Sequence, residues 1–403
     1  MNGKVLTFLL ICLLILPGCW DLTEIEQISF VIGTAFDPMN DEEIRATYEE
    51  ETGRPLPKGM FQMTNQIVIP GQIEGGEEGG SASEGPFFNI RTTAMTSFKT
   101  NRNFTTRRSR TMNYEHLKTL IINEELAREG IIEHLLDLFI RDHEMRRDIL
   151  ILISKGKGSD ILEKKLPLEM MPAMSIEMIS EHAPRGHSIP PPKYSGELMS
   201  NIISDQSYII PRIVNTDGEE FKVAGAAVFL GKENKMVGWM GEYDVQGYSW
   251  ITGTVENEIV EAYYGREQKP FVYETDYTET EVHYKKENGK DIFDIKIRSE
   301  GFFVENWIAG IELDSQETIL KLEEEVAKEI ERQGNKIIGK MQEEFFTDIF
   351  QLHEHVKTNN FSYWQEVKGH WDGEGGAFSN TEINVEAKVK IRHHMTTEEL
   401  EEE

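Results

Sequence analysis
The sequence predicts an α+β protein in three parts, with mixed and antiparallel sheets, packed helices, and a C-terminal part in which one long helix lies on an antiparallel sheet. Three observations predict it. The apolar run Leu120-Ile121-Ile122 is followed by a helical pattern and a buried-type strand at residues 148–153, which makes an α/β unit. The small-residue run VAGAAVFL at residues 223–230 is followed, after a short turn, by KMVGW, which makes a hairpin. Beyond residue 265 come a second hairpin signal, an apolar stripe at helical spacing and a strict alternation over residues 383–391.

Lys4 gives the N-terminus a short positive region, and residues 5–16 are apolar over 12 positions, fewer than the about 20 that a bilayer span needs. The run closes on Leu16-Pro17-Gly18-Cys19, a lipobox. A leader at residues 1–18 would be cut between Gly18 and Cys19, and the Cys19 thiol would carry a diacylglyceryl thioether. One acyl chain holds a protein on a membrane marginally and two hold it stably. Cleavage removes Cys12 and lipidation consumes Cys19, so no disulfide or four-cysteine zinc site is expected. No later stretch is apolar enough to span a bilayer, so the body is expected to be held by lipid only. The full chain's 42 Lys and Arg against 71 Asp and Glu give a formal charge of −29, which argues against a nucleic-acid partner.

Ile28, Phe30 and Ile32 alternate as a strand that ends near Gly33 and the turn pair Asp37-Pro38. Residues 66–70 read as a second strand. Residues 71–86, GQIEGGEEGGSASEGP, offer almost nothing to bury and are expected to form an exposed flexible loop. Glu124 opens one helix with apolar positions Leu126, Ile131, Leu135, Leu138 and Phe139, followed by Arg141, Arg146 and Arg147. Two short helices are expected between residues 160 and 180. The segment with Pro184 and Pro190-Pro191-Pro192 interrupts regular structure and sets a boundary. The expected parts are therefore an N-terminal domain at 19–195, a middle domain at 196–264 that opens on a short helix at 197–203, and a C-terminal domain at 265–403. In the last, residues 279–284 and 292–298 flank the turn Asn288-Gly289. Asp314 and Glu317 stand at capping-box spacing and open a helix that runs to about Phe350. Its stripe is Ile319, Leu322, Val326, Ile330, Ile337, Met341, Phe345 and Ile349, with Gly334 and Gly339 as points of weakness.

Little in the chain suggests catalysis. GxSxG, HExxH, the P-loop and the post-strand GxGxxG are all missing. Lys155-Gly156-Lys157-Gly158-Ser159 lacks the first P-loop glycine, since Ile151 stands there, and reads as a strand-to-helix turn. His353 and His355 would diverge on a helix and read as a solvated pair, not metal ligands; His182 and His187 are weighed likewise. The basic run at 99–110 reads as neutralising the surrounding acid, with contact to anionic lipid headgroups as the other reading. Glu323-Glu324-Glu325 and the tail at 398–403 read as solvated surface.

The ordered set of motifs resembles the Ger(x)C lipoproteins, the C subunits of spore germinant receptors. The residues that carry it are the lipobox followed by Trp20-Asp21 and Glu24-Ile25, then Gly33, Asp37, the Tyr114, His116, Leu117 and Lys118 block, Ala127-Arg128-Glu129-Gly130, and Phe139-Ile140-Arg141-Asp142 with Arg146. Farther on come Ala224-Gly225-Ala226-Ala227-Val228-Phe229, Lys235-Met236-Val237-Gly238, Trp250, Asp348-Ile349-Phe350 and Trp364. The 71–86 stretch is longer and richer in Gly and Glu than is usual in the family, and the last strand ends on Arg392-His393-His394 where the family commonly has a glycine.

The resemblance implies a membrane protein anchored by lipid on the outer face of the inner spore membrane. It would be a receptor subunit needed for the germination response, working with integral-membrane A and B subunits, with no catalytic residues and no cofactor; whether it binds nutrient directly is left open. The segment from Tyr114 to Arg147, with Tyr114, Arg141 and Arg146 foremost, stands either as a partner-docking surface or as support for the α/β core. The competing function is a solute-binding lipoprotein of an ABC importer, which requires repeated βα units in two similar lobes.

Overall fold
Strands with no polar face take the centre of the larger sheet. The computed structural model describes residues 27–39, 42–55, 60–70, 85–142, 144–182, 189–216, 218, 220–308, 311 and 315–394. The expected leader, Cys19, most of the 71–86 stretch, His187 and the acidic tail lie outside them. In chain order the first elements are β1 (Ile28–Pro38), α1 (Glu42–Thr52), β2 (Phe61–Val68), β3 (Phe87–Ala94), α2 (Ser97–Thr105), β4 (Thr111–Asn113) and β5 (Thr119–Asn123). Next come α3 (Glu124–Glu129), α4 (Ile132–Arg141), β6 (Leu150–Lys155), α5 (Gly158–Leu162), α6 (Pro172–Glu181) and β7 (Lys193–Tyr194). The series continues with α7 (Ser195–Ile203), β8 (Tyr208–Asn215), β9 (Phe221–Leu230) and β10 (Lys235–Met240). The sheet order is β10-β9-β8-β6-β5-β1-β2-β3, with β4 beside β1 and β7 beside β6.

β1, β5, β6 and β8 pair in parallel, and the hairpins β2-β3 and β9-β10 flank them antiparallel. Parallel strands are covered on both faces, which is why β5 and β6 read as continuous apolar runs. The sheet does not stop at the Pro-rich segment: β8 pairs with β6 across it, so the strands placed in the middle domain extend the N-terminal sheet. The helix expected from Glu124 is two helices. Gly130 takes φ 76°, a left-handed conformation natural to glycine, and ends α3 before α4 begins. β2 begins five residues earlier than the pattern suggested, at Phe61, where polar Thr64 and Asn65 are buried and hid the strand.

The second sheet follows α8 (Glu242–Thr252). It contains β11 (Ile259–Tyr264), β12 (Lys269–Glu287), β13 (Lys290–Asn306) and β14 (Glu382–His394), in that order. Asn288 and Gly289 both have positive φ, 50° and 81°, and close the β12-β13 hairpin with two residues. β11, β12 and β13 are antiparallel, whereas β14 lies parallel to β13 because the helical crossover carries the chain back to the starting end of that strand. That crossover contains α9 (Gln316–Lys340), α10 (Leu352–Asn359) and α11 (Phe361–Val367).

α9 buries Leu322, Val326, Ile330 and Ile337 as the stripe requires. It stops ten residues short of the expected end, in a π-type turn at Met341–Phe345 with Phe346 left-handed at φ 53°. The apolar spacing continues past this stop, so periodicity could not reveal it. Its N-cap is Ser315 rather than Asp314, without a side-chain cap bond. Gly334 lies inside the continuous helix, near Ile251, and breaks nothing.

α8 crosses α9 closely because Gly247 has no side chain: a Cβ there would run into the Gln333 carbonyl. Gly339 on α9 has open space. Gly247→Ala should therefore cost about 1–3 kcal/mol through overpacking, although alanine is the better helix former. Gly339→Ala should be neutral or stabilising by up to about 1 kcal/mol. Thermal denaturation of the two variants beside the parent checks the sign of each.

Candidate functional site
The residues singled out from the sequence do not come together. Gly18 and Cys19 lie outside the described residues. Tyr114 follows β4 and is only 3% exposed; its hydroxyl accepts from Asn65 Nδ2 at 2.8 Å and donates to Asn101 Oδ1 at 3.1 Å, and its ring meets Phe139 edge-on at 5.8 Å. Burial pushes its hydroxyl pKa up. Tyr114 is thus core support and no part of a surface; the partners that bury it stand far from it in sequence.

Arg141 and Arg146 are exposed. Arg141 pairs with Asp137 one helical turn back, at 2.6 Å. Arg146 makes a fork with both carboxylate oxygens of Asp148, at 3.0 and 2.8 Å. Both line an open hollow of about 290 Å³ with Phe139, Met145, Ser195 and Met199, between the end of α4 and the start of α7.

The P-loop-like stretch is a strand-to-helix turn. The Gly158 and Ser159 amides donate to the two carboxylate oxygens of buried Asp37, at 2.7 and 2.9 Å, so this turn already holds an anion from its own chain. Burial pushes the Asp37 carboxyl up despite those two bonds.

His353 departs from the expected solvated pair. It is buried, stacked on Trp364 at 5.4 Å, with Nδ1 3.2 Å from Asp348 Oδ2. The fully buried Asp348 carboxylate also accepts from the Leu352 and His353 amides at 3.1 and 2.9 Å, which caps the start of α10, and from Trp371 Nε1 at 2.9 Å. Asp372 accepts from the Asp348 amide at 2.8 Å and from Ser207 Oγ at 2.6 Å, while Ser207 Oγ accepts from the Gly231 amide. Gln206 Nε2 lies 3.3 Å from His353 Nε2, and Gln351 Nε2 donates to the Ser207 carbonyl.

Residues 206, 207 and 231 belong to the larger-sheet body, and 348–372 to the smaller, so this network fastens one to the other. His182 is exposed. Among the described residues no group of three or more His, Cys, Asp or Glu is placed to hold a metal ion, and no helix is long and apolar enough to cross a membrane.

The network was missed because its members, spread from 206 to 372, follow no period. The available signal was Asp348 five residues before His353, a carboxylate placed to cap a following helix.

Comparison with known families settles the kinship. The family model described as "Spore germination protein N-terminal domain" matches residues 21–214, and "Spore germination B3/ GerAC like, C-terminal" matches residues 224–395. The chain belongs to the Ger(x)C family. Spore germination protein YndF of Bacillus subtilis (strain 168) is 29% identical over 98% of each chain. Spore germination proteins B3 and A3 of the same organism are 28% and 25% identical, over 94% and 95% of each chain. The crystal structure of the GerBC protein superimposes with a TM-score of 0.59 at 23% identity, over 83% of this chain and 94% of that one, and shows the same fold. The seam between the two Ger(x)C models falls in the β8-β9 turn, inside a hairpin of the larger sheet.

Burial, and then the negative Asp348, push the Asp372 carboxyl of this Ger(x)C protein up to about 6. Burial alone would lower the His353 imidazole, yet the bond to Asp348 holds it above its ordinary value. A group with a raised folded-state pKa contributes fully below its unfolded value. The contribution is lost as pH rises through the folded value. For Asp372 that window runs from the ordinary carboxylate range to about 6, and for His353 it lies above the ordinary imidazole value. Stability of the junction therefore falls as pH rises from 5 to 7. Asp372→Asn, which can still accept from the Asp348 amide, should reduce that fall by about 1 kcal/mol. Thermal midpoints of parent and variant at the two pH values measure it; an unchanged difference would show that Asp372 does not titrate in this window.

Proposed function
We propose that this protein is the lipid-anchored C subunit of a nutrient germinant receptor, needed for the spore germination response and acting through assembly with integral-membrane A and B subunits. The observation that carries the proposal is the serial match of both family models, with spore germination proteins matched over nearly their full length. In this reading Cys19 of the lipobox carries the anchor, and the body stands on the outer face of the inner spore membrane, as the family resemblance implies.

The subunit couples and does not catalyse. A tether raises the effective concentration of the body beside neighbouring membrane subunits, so a modest docking surface suffices. Arg141 and Arg146, beside their hollow, form that surface; Tyr114 lies beneath it, supporting Phe139. The solute-binding alternative requires two similar lobes, whereas here the two sheets differ in strand number and pairing.

Cys19→Ala should move the body from the spore membrane to the soluble fraction or leave it unprocessed. Normal lipidated protein from that variant would overturn the anchor. Arg141→Glu with Arg146→Glu should leave the circular dichroism spectrum unchanged, lower co-purification of the A and B subunits, and slow the nutrient response. A folded double variant with an intact complex and normal germination removes this surface. Calorimetric binding of a germinant to the isolated protein, at an affinity matching the spore response, would favour direct nutrient recognition instead.

A further inference from the structure
We infer that the basic stretch at residues 99–110 is a membrane-facing surface that lies against anionic phospholipid headgroups. The inference builds on the lipid-anchor reading of Cys19. Residues 85–114 contain no Asp or Glu, in a chain that has 71 of them, and they carry Arg91, Lys99, Arg102, Arg107, Arg108 and Arg110. Arg91 is paired with Glu163. The other five are exposed, and none makes an ion pair with a described residue.

A neutralising role would bring these cations to carboxylates, and among the described residues none of the five meets one. Arg102 and Arg108 lie over the Phe98 and Phe88 rings at 5.1 and 5.2 Å, and Arg107 donates to the Arg91 carbonyl at 2.8 Å. Beside them Phe98 is 54% exposed and Met95 44%. Arginines with exposed apolar groups between them suit a headgroup layer, where guanidinium forks meet phosphate and apolar side chains enter the interface.

The topology puts this surface near the tether. β4 pairs in parallel with the first residues of β1, Ile28 opposite Thr111, and Thr111 Oγ1 donates to the Gln27 carbonyl. Arg110 therefore stands next to the point where the chain from Cys19 enters the fold. Residues 20–26 span at most about 25–30 Å, so the lipid holds this end near the bilayer. At the same end an open hollow of about 650 Å³ is lined by Ser29, Ile67, Phe88, Arg108 and Arg110. A chain with a formal charge of −29 is repelled by an anionic surface on its acidic faces, which leaves the basic face to turn toward it. Each cation near the surface strengthens that contact about fivefold.

The test uses the mature protein, purified from membranes and placed in lipid nanodiscs of phosphatidylcholine alone or mixed equally with phosphatidylglycerol. Hydrogen exchange is read at residues 105–111. Exchange should slow several-fold in the anionic discs only. It should recover at 0.5 M salt, and likewise in Arg107→Glu, Arg108→Glu, Arg110→Glu protein whose circular dichroism is unchanged. Equal exchange in both disc types overturns the inference. So does equal slowing without lipid, which would mean that the glutamates of residues 71–86 cover the face, and so does slowing that needs other membrane proteins. Entry into discs reports on the anchor alone. A protein that does not enter is measured beside phosphatidylglycerol vesicles at low ionic strength, where equal exchange with and without vesicles overturns the surface as well.

Discussion

β9 has almost no solvent face, and the rest of the structure depends on it. Of its ten residues only Lys222 is exposed. Ala227 and Phe229 pack into the core beneath α3 and α4, while Ala226 and Val228 pack into the core that contains α9 and the smaller sheet. Two hydrophobic cores thus meet across this strand, with its neighbours β8 and β10 also supplying residues to both, and its first residues Phe221 and Val223 enter a third core. The small residues that made this run conspicuous are what two close-packed faces require: larger side chains would force the layers apart. Gly225, at φ 74°, leaves room for the Met240 carbonyl and the Arg212 guanidinium, whose Nε donates to the Ala224 carbonyl.

Polar ties fix the orientation that this shared strand permits. Lys340 at the end of α9 reaches both the Trp239 carbonyl and Asp244, each at 2.8 Å. Burial would raise the Asp244 carboxyl, but Lys340 and the Gly241 amide hold it below its ordinary value. The Phe345 ring sits where a side chain at position 238 would be, so Gly238 is a seat for the π-type turn. On the other side Asp372 bonds Ser207 of the larger-sheet body and the Asp348 amide, while Asp348 gathers Leu352, His353 and Trp371 on the smaller side. Buried charges of this kind add little net stability when fully paired, but removal of one partner is costly, so they act mainly to exclude other arrangements.

Much of this was legible in the chain. The apolar runs of β5 and β6 announced a strand-helix-strand unit, Asn288-Gly289 announced its hairpin, and the alternation at 383–391 announced β14, because each signal is local. The kinship was legible too, from motifs spread in order along the chain. What escaped depends on distant partners. Tyr114 looked like an aromatic beside a basic surface, and only Asn65 and Asn101, brought over it by β2 and α2, make it core. His353 looked solvated until Trp364 stacked on it, with Trp371 edge-on to Trp364 behind. The parallel pairing of β14 is set by where the crossover ends, which periodicity does not encode. Glu323 read as plain acidic surface, yet it faces a strand.

That last residue has a wider consequence. β14 is an edge strand, and an edge normally presents a row of amides with no partner. Here the Ile391 amide donates to Glu323 Oε1 and the Ala387 amide to Glu331 Oε1, both at 2.9 Å and both from α9. Two helix carboxylates spaced at eight residues, close to two turns, stand in for a neighbouring strand. A free edge invites copies of a protein crowded on one plane to zip together; here two of the edge amides are taken by carboxylates of the protein's own helix, so crowding need not end in a shared sheet.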